Sequence, residues 1–224
     1  MLFAEVSNML LLYIGLETLS ILSYVMATLK KNNERSGEAG LKYSLYGGIS
    51  AGIMLFGMSH VFGVLGTINF SEMATMIPNL TSDQMLILIP SFLLFFVGLG
   101  YKIACVPFHM WSPDVYEGSP IPVTAFFAIV PKIAGMAVIA RLTMLLFNND
   151  SLLSVSWIGA LSVIAALTMT VGNISAIGQR SVKRMLAYSS IGHAGVMLLG
   201  IVVVSEIGLR SLLFYAFTYL FMTL

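Results

Sequence analysis

The chain has 224 residues, of which 58% are hydrophobic and only 9% charged. A soluble domain carries about 25% charged residues, so this chain lacks the polar groups to face water and lipid is its solvent. Its net charge of +1 offers no footprint for a nucleic acid, and a single cysteine, Cys105, excludes an internal disulfide or a thiolate metal cage.

A membrane-crossing helix needs about 20 apolar residues. The first such run covers roughly 2–29; it carries Glu5 near its start and has neither the basic region nor the cleavage site of a secretory leader. A charged loop follows, Lys30-Lys31-Asn32-Asn33-Glu34-Arg35 and on to Lys42. The second span covers roughly 41–63, and a polar loop from Gly66 to Asp83 leads to the third at roughly 85–106. Pro107 breaks this third helix, and a short segment from Phe108 to Gly118 follows the break. The fourth span starts at Pro120 and ends at about Phe147; the fifth covers roughly 152–173, the sixth roughly 184–204, and a seventh begins at about 207. The expected fold is an all-α membrane protein, a polytopic bundle of about seven transmembrane helices with one broken helix. The last apolar run, Leu212 to Leu224, stops within itself, so the chain is expected to be a fragment of a single transmembrane domain, incomplete at both ends.

Basic residues orient the bundle. Lys30, Lys31, Arg35 and Lys42 follow the first span, and Arg180, Lys183 and Arg184 follow the fifth, whereas the loops around Thr75, Asn149 and Ser205 carry no Lys or Arg in their cores. Alternation puts the two basic loops on one side, which the positive-inside rule makes cytoplasmic.

Four ionisable residues lie where lipid does not tolerate them. Lys132, deep in the fourth span beside Pro131, sits too near the bilayer centre to snorkel out, and a charge there costs about 2.5–3.5 kcal/mol on insertion scales. Pro131 removes a helical hydrogen bond and frees the carbonyl of Phe127, which is tolerated where the helix faces protein or water. Glu17, mid-way along the first span with Ser20 and Tyr24 on the same face, needs a cationic partner to stay charged. Lys102, one turn before the break, is the candidate partner; snorkelling to the near interface is its alternative. His193 follows Ser189 and Ser190 in the sixth span and suits a proton relay if water reaches it, or else packing alone. A buried lysine also has a purely structural reading as part of an ion pair. Arg141 and Arg210 lie toward helix ends as interfacial anchors, and His60 and His109 read as structural. No P-loop, zinc-protease helix motif or dinucleotide fingerprint is present, so no nucleotide or redox chemistry is expected in this chain.

Five stretches carry a resemblance: Gly15-Leu16-Glu17 through Tyr24; Glu38-Ala39-Gly40-Leu41-Lys42-Tyr43; Val106-Pro107-Phe108-His109-Met110-Trp111-Ser112-Pro113-Asp114-Val115-Tyr116-Glu117-Gly118-Ser119-Pro120; Pro131-Lys132-Ile133-Ala134; and Lys183-Arg184-Met185-Leu186-Ala187-Tyr188-Ser189-Ser190-Ile191-Gly192-His193. Together they resemble the antiporter-like membrane subunits of respiratory complex I, the NADH-quinone oxidoreductase of bacteria. Lys132 and the Glu38–Tyr43 loop point to the N-type branch of that family.

The resemblance implies an inverted-repeat antiporter-like fold, with residues 1–147 holding most of a first repeat and 148–224 starting a second. It implies a proton relay through Glu17, Lys102, Lys132 and His193, with an exit lysine beyond Leu224. It also implies that NADH, FMN, iron–sulfur clusters and quinone bind to other subunits, leaving no cofactor in this chain. K-, J- and M-type membrane subunits would be its partners in the bacterial inner membrane. A subunit of a multi-subunit cation/proton antiporter, or of a related hydrogenase or dehydrogenase, would use the same relay with another driver. A non-conducting scaffold whose buried charges only set helix register is the remaining alternative.

Overall fold

The computed structural model describes residues 6–30, 32–149 and 151–223; Glu5, Lys31 and Leu224 of the sequence reading lie outside them. Seven long helices make up the bundle: α1 (Met9–Ala27), α2 (Glu34–Leu65), α4 (Ser82–Ile103), α6 (Ile121–Leu146), α7 (Leu152–Ile177), α8 (Val182–Val202) and α9 (Glu206–Thr223). Two short helices, α3 (Phe70–Met76) and α5 (Trp111–Gly118), lie between them. Among the described residues there is no strand, only an isolated bridge between Asn8 and Asn69.

Local signals set the helix ends. The Asn8 side chain accepts from Leu11 N at 2.8 Å and starts α1. Asn33 does the same for α2 by accepting from Ser36 N, which extends that helix back into the charged loop. Its 32 residues would be about 48 Å long at 1.5 Å per residue, well beyond a hydrocarbon core of about 30 Å. The predicted second span at 41–63 is therefore the lipid-depth part of a longer helix. Thr81 and Gln84 form a capping box that opens α4. Gly66, at φ 67, closes α2 in the left-handed region.

Six of the long helices are long and apolar enough to cross a membrane: α1, α2, α4, α6, α7 and α8. The expected seventh, α9, falls outside that set: Glu206 in its first turn and Arg210, one turn on and paired with it, lower its mean hydropathy. The polar loop between the second and third spans contains α3, which the sequence reading left without structure.

α2 packs along α4 and α7 along α8, while α5 is wedged against both α2 and α8. Two apolar cores result. One surrounds Phe92, Phe96, Phe147 and Trp157, with the last two stacked at 4.7 Å. The other surrounds the break: Tyr43 stacks on Trp111 at 4.4 Å, and Phe127 packs edge-on against Tyr43 at 5.4 Å. Large apolar residues such as Ile21, Phe56, Val155 and Phe214 face outward, as expected of surfaces that meet lipid or other membrane helices.

Candidate functional site

The broken helix is the centre of the site. α4 ends at Ile103, where Ala104 takes a left-handed conformation (φ 55), and helical structure resumes only at Trp111. Residues 104–110 are a turn. Irregular backbone at membrane depth needs partners from the protein. Trp111 Nε1 donates to the Tyr101 carbonyl at 3.0 Å, and Val106 N donates to Thr168 Oγ1 of α7 at 3.0 Å. Tyr101 itself donates from its hydroxyl to the Tyr43 carbonyl at 2.7 Å, tying the last turn of α4 to α2.

Lys102 lies in that last turn. It is 3% exposed, so within this chain it does not snorkel to an interface, and among the described residues its Nζ has no hydrogen-bond partner. The Glu17 carboxylate acts on it electrostatically, yet no direct ion pair joins them among the described residues. Glu17 sits at the margin of the buried face of α1, partly exposed, while Leu16 and Ser20 beside it are buried. The expected Glu17–Lys102 partnership is thus one of proximity and not of contact. Tyr24 Oη, His109 Nδ1, Ser112 Oγ, Tyr116 Oη and Ser119 Oγ are likewise buried without a protein partner, most of them in the segment that follows the break. Buried polar groups are nearly always hydrogen-bonded, if not to protein then to ordered water.

Lys132 is 0% exposed. Pro131 does not interrupt α6, which remains helical from Ile121 to Leu146. The ammonium donates to two oxygens of one residue on α8, the Ser190 carbonyl at 2.8 Å and the Ser190 hydroxyl at 2.6 Å. Ser190 Oγ lies 2.7 Å from Tyr219 Oη of α9, and Tyr219 donates to the Ala128 carbonyl at 3.2 Å, back on α6. No carboxylate pairs with Lys132 among the described residues. The α4 end that carries Lys102 meets α6 one turn past Lys132. A Cβ on Gly135 would stand 2.6 Å from Ile103 Cγ2 and 3.9 Å from Lys102 Cβ, so glycine permits this approach.

His193 is half-buried one turn beyond Ser190; its Nδ1 lies 2.7 Å from Tyr215 Oη, and its ring is 5.3 Å from that of Tyr219. A cavity of about 350 Å³ opens beside it, lined by Ser190, His193, Tyr219 and Tyr116 among others. Three of the four expected site residues, Lys102, Lys132 and His193, therefore lie on packed helices around the break, with Glu17 at their edge.

Sequence reasoning missed a second cluster. Asp114 of α5 accepts from Lys42 of α2 at 2.6 Å and from Arg184 of α8 at 2.5 Å; Arg184 also reaches Glu117 at 3.3 Å, and Glu38 joins Lys42 at 2.7 Å. Burial raises the Asp114 carboxyl, but the hydrogen bonds from Lys42 and Arg184 outweigh it and hold the group below its ordinary value of 3.8. The signal was present in the sequence. The loop behind the break is acidic where the two basic loops are cationic, and the clasp brings all three to one end of the bundle, as alternation requires. Tyr215 and Tyr219 were also missed; their only trace is a four-residue spacing in the last helix.

Among the described residues no group of three or more His, Cys, Asp or Glu is placed to hold a metal ion. The sequence model described as NADH:quinone oxidoreductase/Mrp antiporter, transmembrane, matches residues 6–224. The chain belongs to this antiporter family. Family relatives include NADH-quinone oxidoreductase subunit N 2 of Sorangium cellulosum, 46% identical over all of this chain and 45% of the relative. Subunit N of Geobacillus sp. is 44% identical over all of this chain and 47% of its own length. A chain of respiratory complex I from Thermus thermophilus superposes with a TM-score of 0.82 at 35% identity, over 99% of this chain and 46% of that one. A chain of the Mrp complex from Dietzia sp. superposes with a TM-score of 0.84 at 22% identity, over 97% and 40%, and shares the fold. The chain thus spans about half the length of the curated relatives it matches.

Proposed function

We propose that this chain is part of an N-type, proton-translocating membrane subunit of a bacterial NADH-quinone oxidoreductase, and that Lys132 carries the proton. The observation behind this reading is the environment of Lys132: wholly buried, held by a hydroxyl and a carbonyl, and without an acid among the described residues. A charge at membrane depth is costly, and a scaffold would offset that cost with a fixed ion pair. A lysine bound only to neutral acceptors can exchange its proton without breaking a salt bridge. The identities of 46% and 44% to subunits N, against 22% for the Mrp chain, favour complex I over a free-standing antiporter.

In this reading Lys102, near Glu17 and on the helix end that meets α6, supplies Lys132; one N–H bond breaks at Lys102 as one forms at Lys132. Ser190 and the His193 cavity lie beyond. Redox chemistry in other subunits drives the exchange by moving the Glu17–Lys102 pair apart, an electrostatic switch of two arrangements. Residues 1–147 would form most of a first repeat and 148–224 the start of a second, with the Asp114 clasp on the cytoplasmic side of the inner membrane. K-, J- and M-type subunits would be neighbours, and NADH, FMN, iron–sulfur clusters and quinone would bind elsewhere in the complex.

The test is Lys132→Ala in the intact complex, reconstituted in vesicles, with proton uptake followed during NADH oxidation. Loss of uptake in an assembled complex is expected, and uptake equal to the parent's would remove Lys132 from the path. Glu17→Gln is expected to weaken uptake while leaving assembly intact; failure to assemble would favour a structural role.

A further inference from the structure

The oxygens beside Lys132 form a directed chain. Lys132 is a donor through every N–H of its ammonium, so Ser190 Oγ, at 2.6 Å, must accept from it. The Ser190 hydrogen is then left to donate to Tyr219 Oη at 2.7 Å, and the Tyr219 hydrogen to the Ala128 carbonyl at 3.2 Å. A neutral lysine amine has a lone pair and permits the opposite sense: Ser190 donates to Nζ, Tyr219 donates to Ser190, and the Ala128 carbonyl loses its tyrosine. The two polarities use the same heavy-atom positions and differ only in where the hydrogens sit.

One end of this chain is closed and the other open. Lys132 has no exposed surface, whereas Ser190 and Tyr219 line the cavity of about 350 Å³ that also holds His193 and Tyr116. At about 30 Å³ per liquid water, that space admits several molecules. Among the described residues the hydroxyl pair gives the buried ammonium a hydrogen-bonded connection to this space.

We propose that Ser190 and Tyr219 are relay residues that carry the proton from Lys132 to the cavity at His193. The inference rests on the reading of Lys132 as a proton carrier. In the step, an N–H bond of Lys132 breaks and its proton bonds to Ser190 Oγ; the former Ser190 hydrogen moves to Tyr219 Oη. The former Tyr219 hydrogen, swung off the Ala128 carbonyl, leaves to a water molecule in the cavity, where His193 is the nearest imidazole. Lys132 ends as a neutral amine, one proton has left, and no electrons are transferred. The chain is then in the sense that the lone pair of a neutral lysine accepts, and rotation of the two hydroxyls resets it when Lys132 is recharged.

The experiment uses the full-length subunit in its complex, reconstituted in lipid vesicles. Tyr219→Phe and Ser190→Ala each remove one hydroxyl and are expected to slow proton translocation at least about tenfold; Ser190→Thr, which keeps the hydroxyl, is expected to restore it. A parental rate in either variant, or a threonine variant as slow as the alanine one, overturns the proposal. Lys132→Ala is run alongside. If it too translocates at the parental rate, the reading of Lys132 falls as well, whereas its failure beside a silent Tyr219→Phe removes only the hydroxyl pair. Where Tyr219→Phe does not assemble, difluorotyrosine incorporated at 219 keeps the shape and acidifies the phenol. A displaced pH profile of translocation is then expected, and an unmoved profile overturns the relay.

Discussion

Lys132 and Ser190, 58 residues apart, meet through two hydrogen bonds of 2.8 and 2.6 Å from one ammonium to the carbonyl and hydroxyl of one serine. A single residue thus supplies two acceptors, one from its backbone and one from its side chain, and it does so without a counter-charge. The contact holds α6 to α8 and leaves the lysine dependent on neutral dipoles.

Replacing Lys132 by methionine separates stability from transport. Desolvation of an unpaired ammonium is costly, and apolar replacements of buried charges are often neutral or stabilising by about 1–4 kcal/mol. The Lys132→Met protein is expected to melt at or above the parental temperature in lipid nanodiscs while proton translocation is lost. A large fall in melting temperature would instead give the lysine a structural role.

Close helix approach beneath the site depends on Gly172. A Cβ there would stand 2.5 Å from Gly192 N and 2.8 Å from its Cα, backbone that cannot yield without moving α7 from α8. Gly172→Ala is expected to destabilise by about 1–3 kcal/mol. Gly159→Ala on the same helix, where nothing lies within 4 Å, is expected to be neutral or to gain up to about 1 kcal/mol. Thermal unfolding of the two variants in parallel checks the contrast.

The break is pinned by an indole. Trp111→Phe keeps the ring against Tyr43 but removes one of two donors to the Tyr101 carbonyl next to Lys102, leaving it only Ala104 N at 3.1 Å. The expected cost is about 0.5–1.5 kcal/mol. Hydrogen exchange should rise in residues 101–111 while α7 and α8 remain protected.

Asp114→Asn tests the clasp. It removes the charge that holds both Lys42 and Arg184; with each of these side chains about a third exposed, solvent screening limits the loss to about 1–2 kcal/mol. The pH dependence follows from the sign of the shift. Because the folded carboxyl titrates below 3.8, its contribution is fully present above that pH and disappears as pH falls through the lowered value. Melting temperatures of parent and Asp114→Asn, well apart at neutral pH, should converge in strong acid.

Six of the seven expected spans were legible because lipid demands long apolar runs, and the lysines were legible because each interrupts one. The helical start of α2 was less so, since six polar residues after Lys30 read as loop until Asn33 is seen to cap. The partner of Lys132 was not legible at all. Serine next to serine in α8 looks like any small residue at a helix interface, and only the rotation of α8 about its axis turns Ser190 and not Ser189 toward Lys132. The same rotational freedom explains Glu17. Periodicity placed it on a face with Ser20 and Tyr24, but the docking of α1 leaves it at the rim, near Lys102 without touching it.

From its order of residues alone this protein was bound to be a membrane bundle with costly cations at depth, because hydropathy acts on each segment separately. Which oxygens receive those cations was decided by how the helices pack, since a hydrogen bond across 58 residues depends on rotation and approach to within an ångström, and no local pattern encodes either.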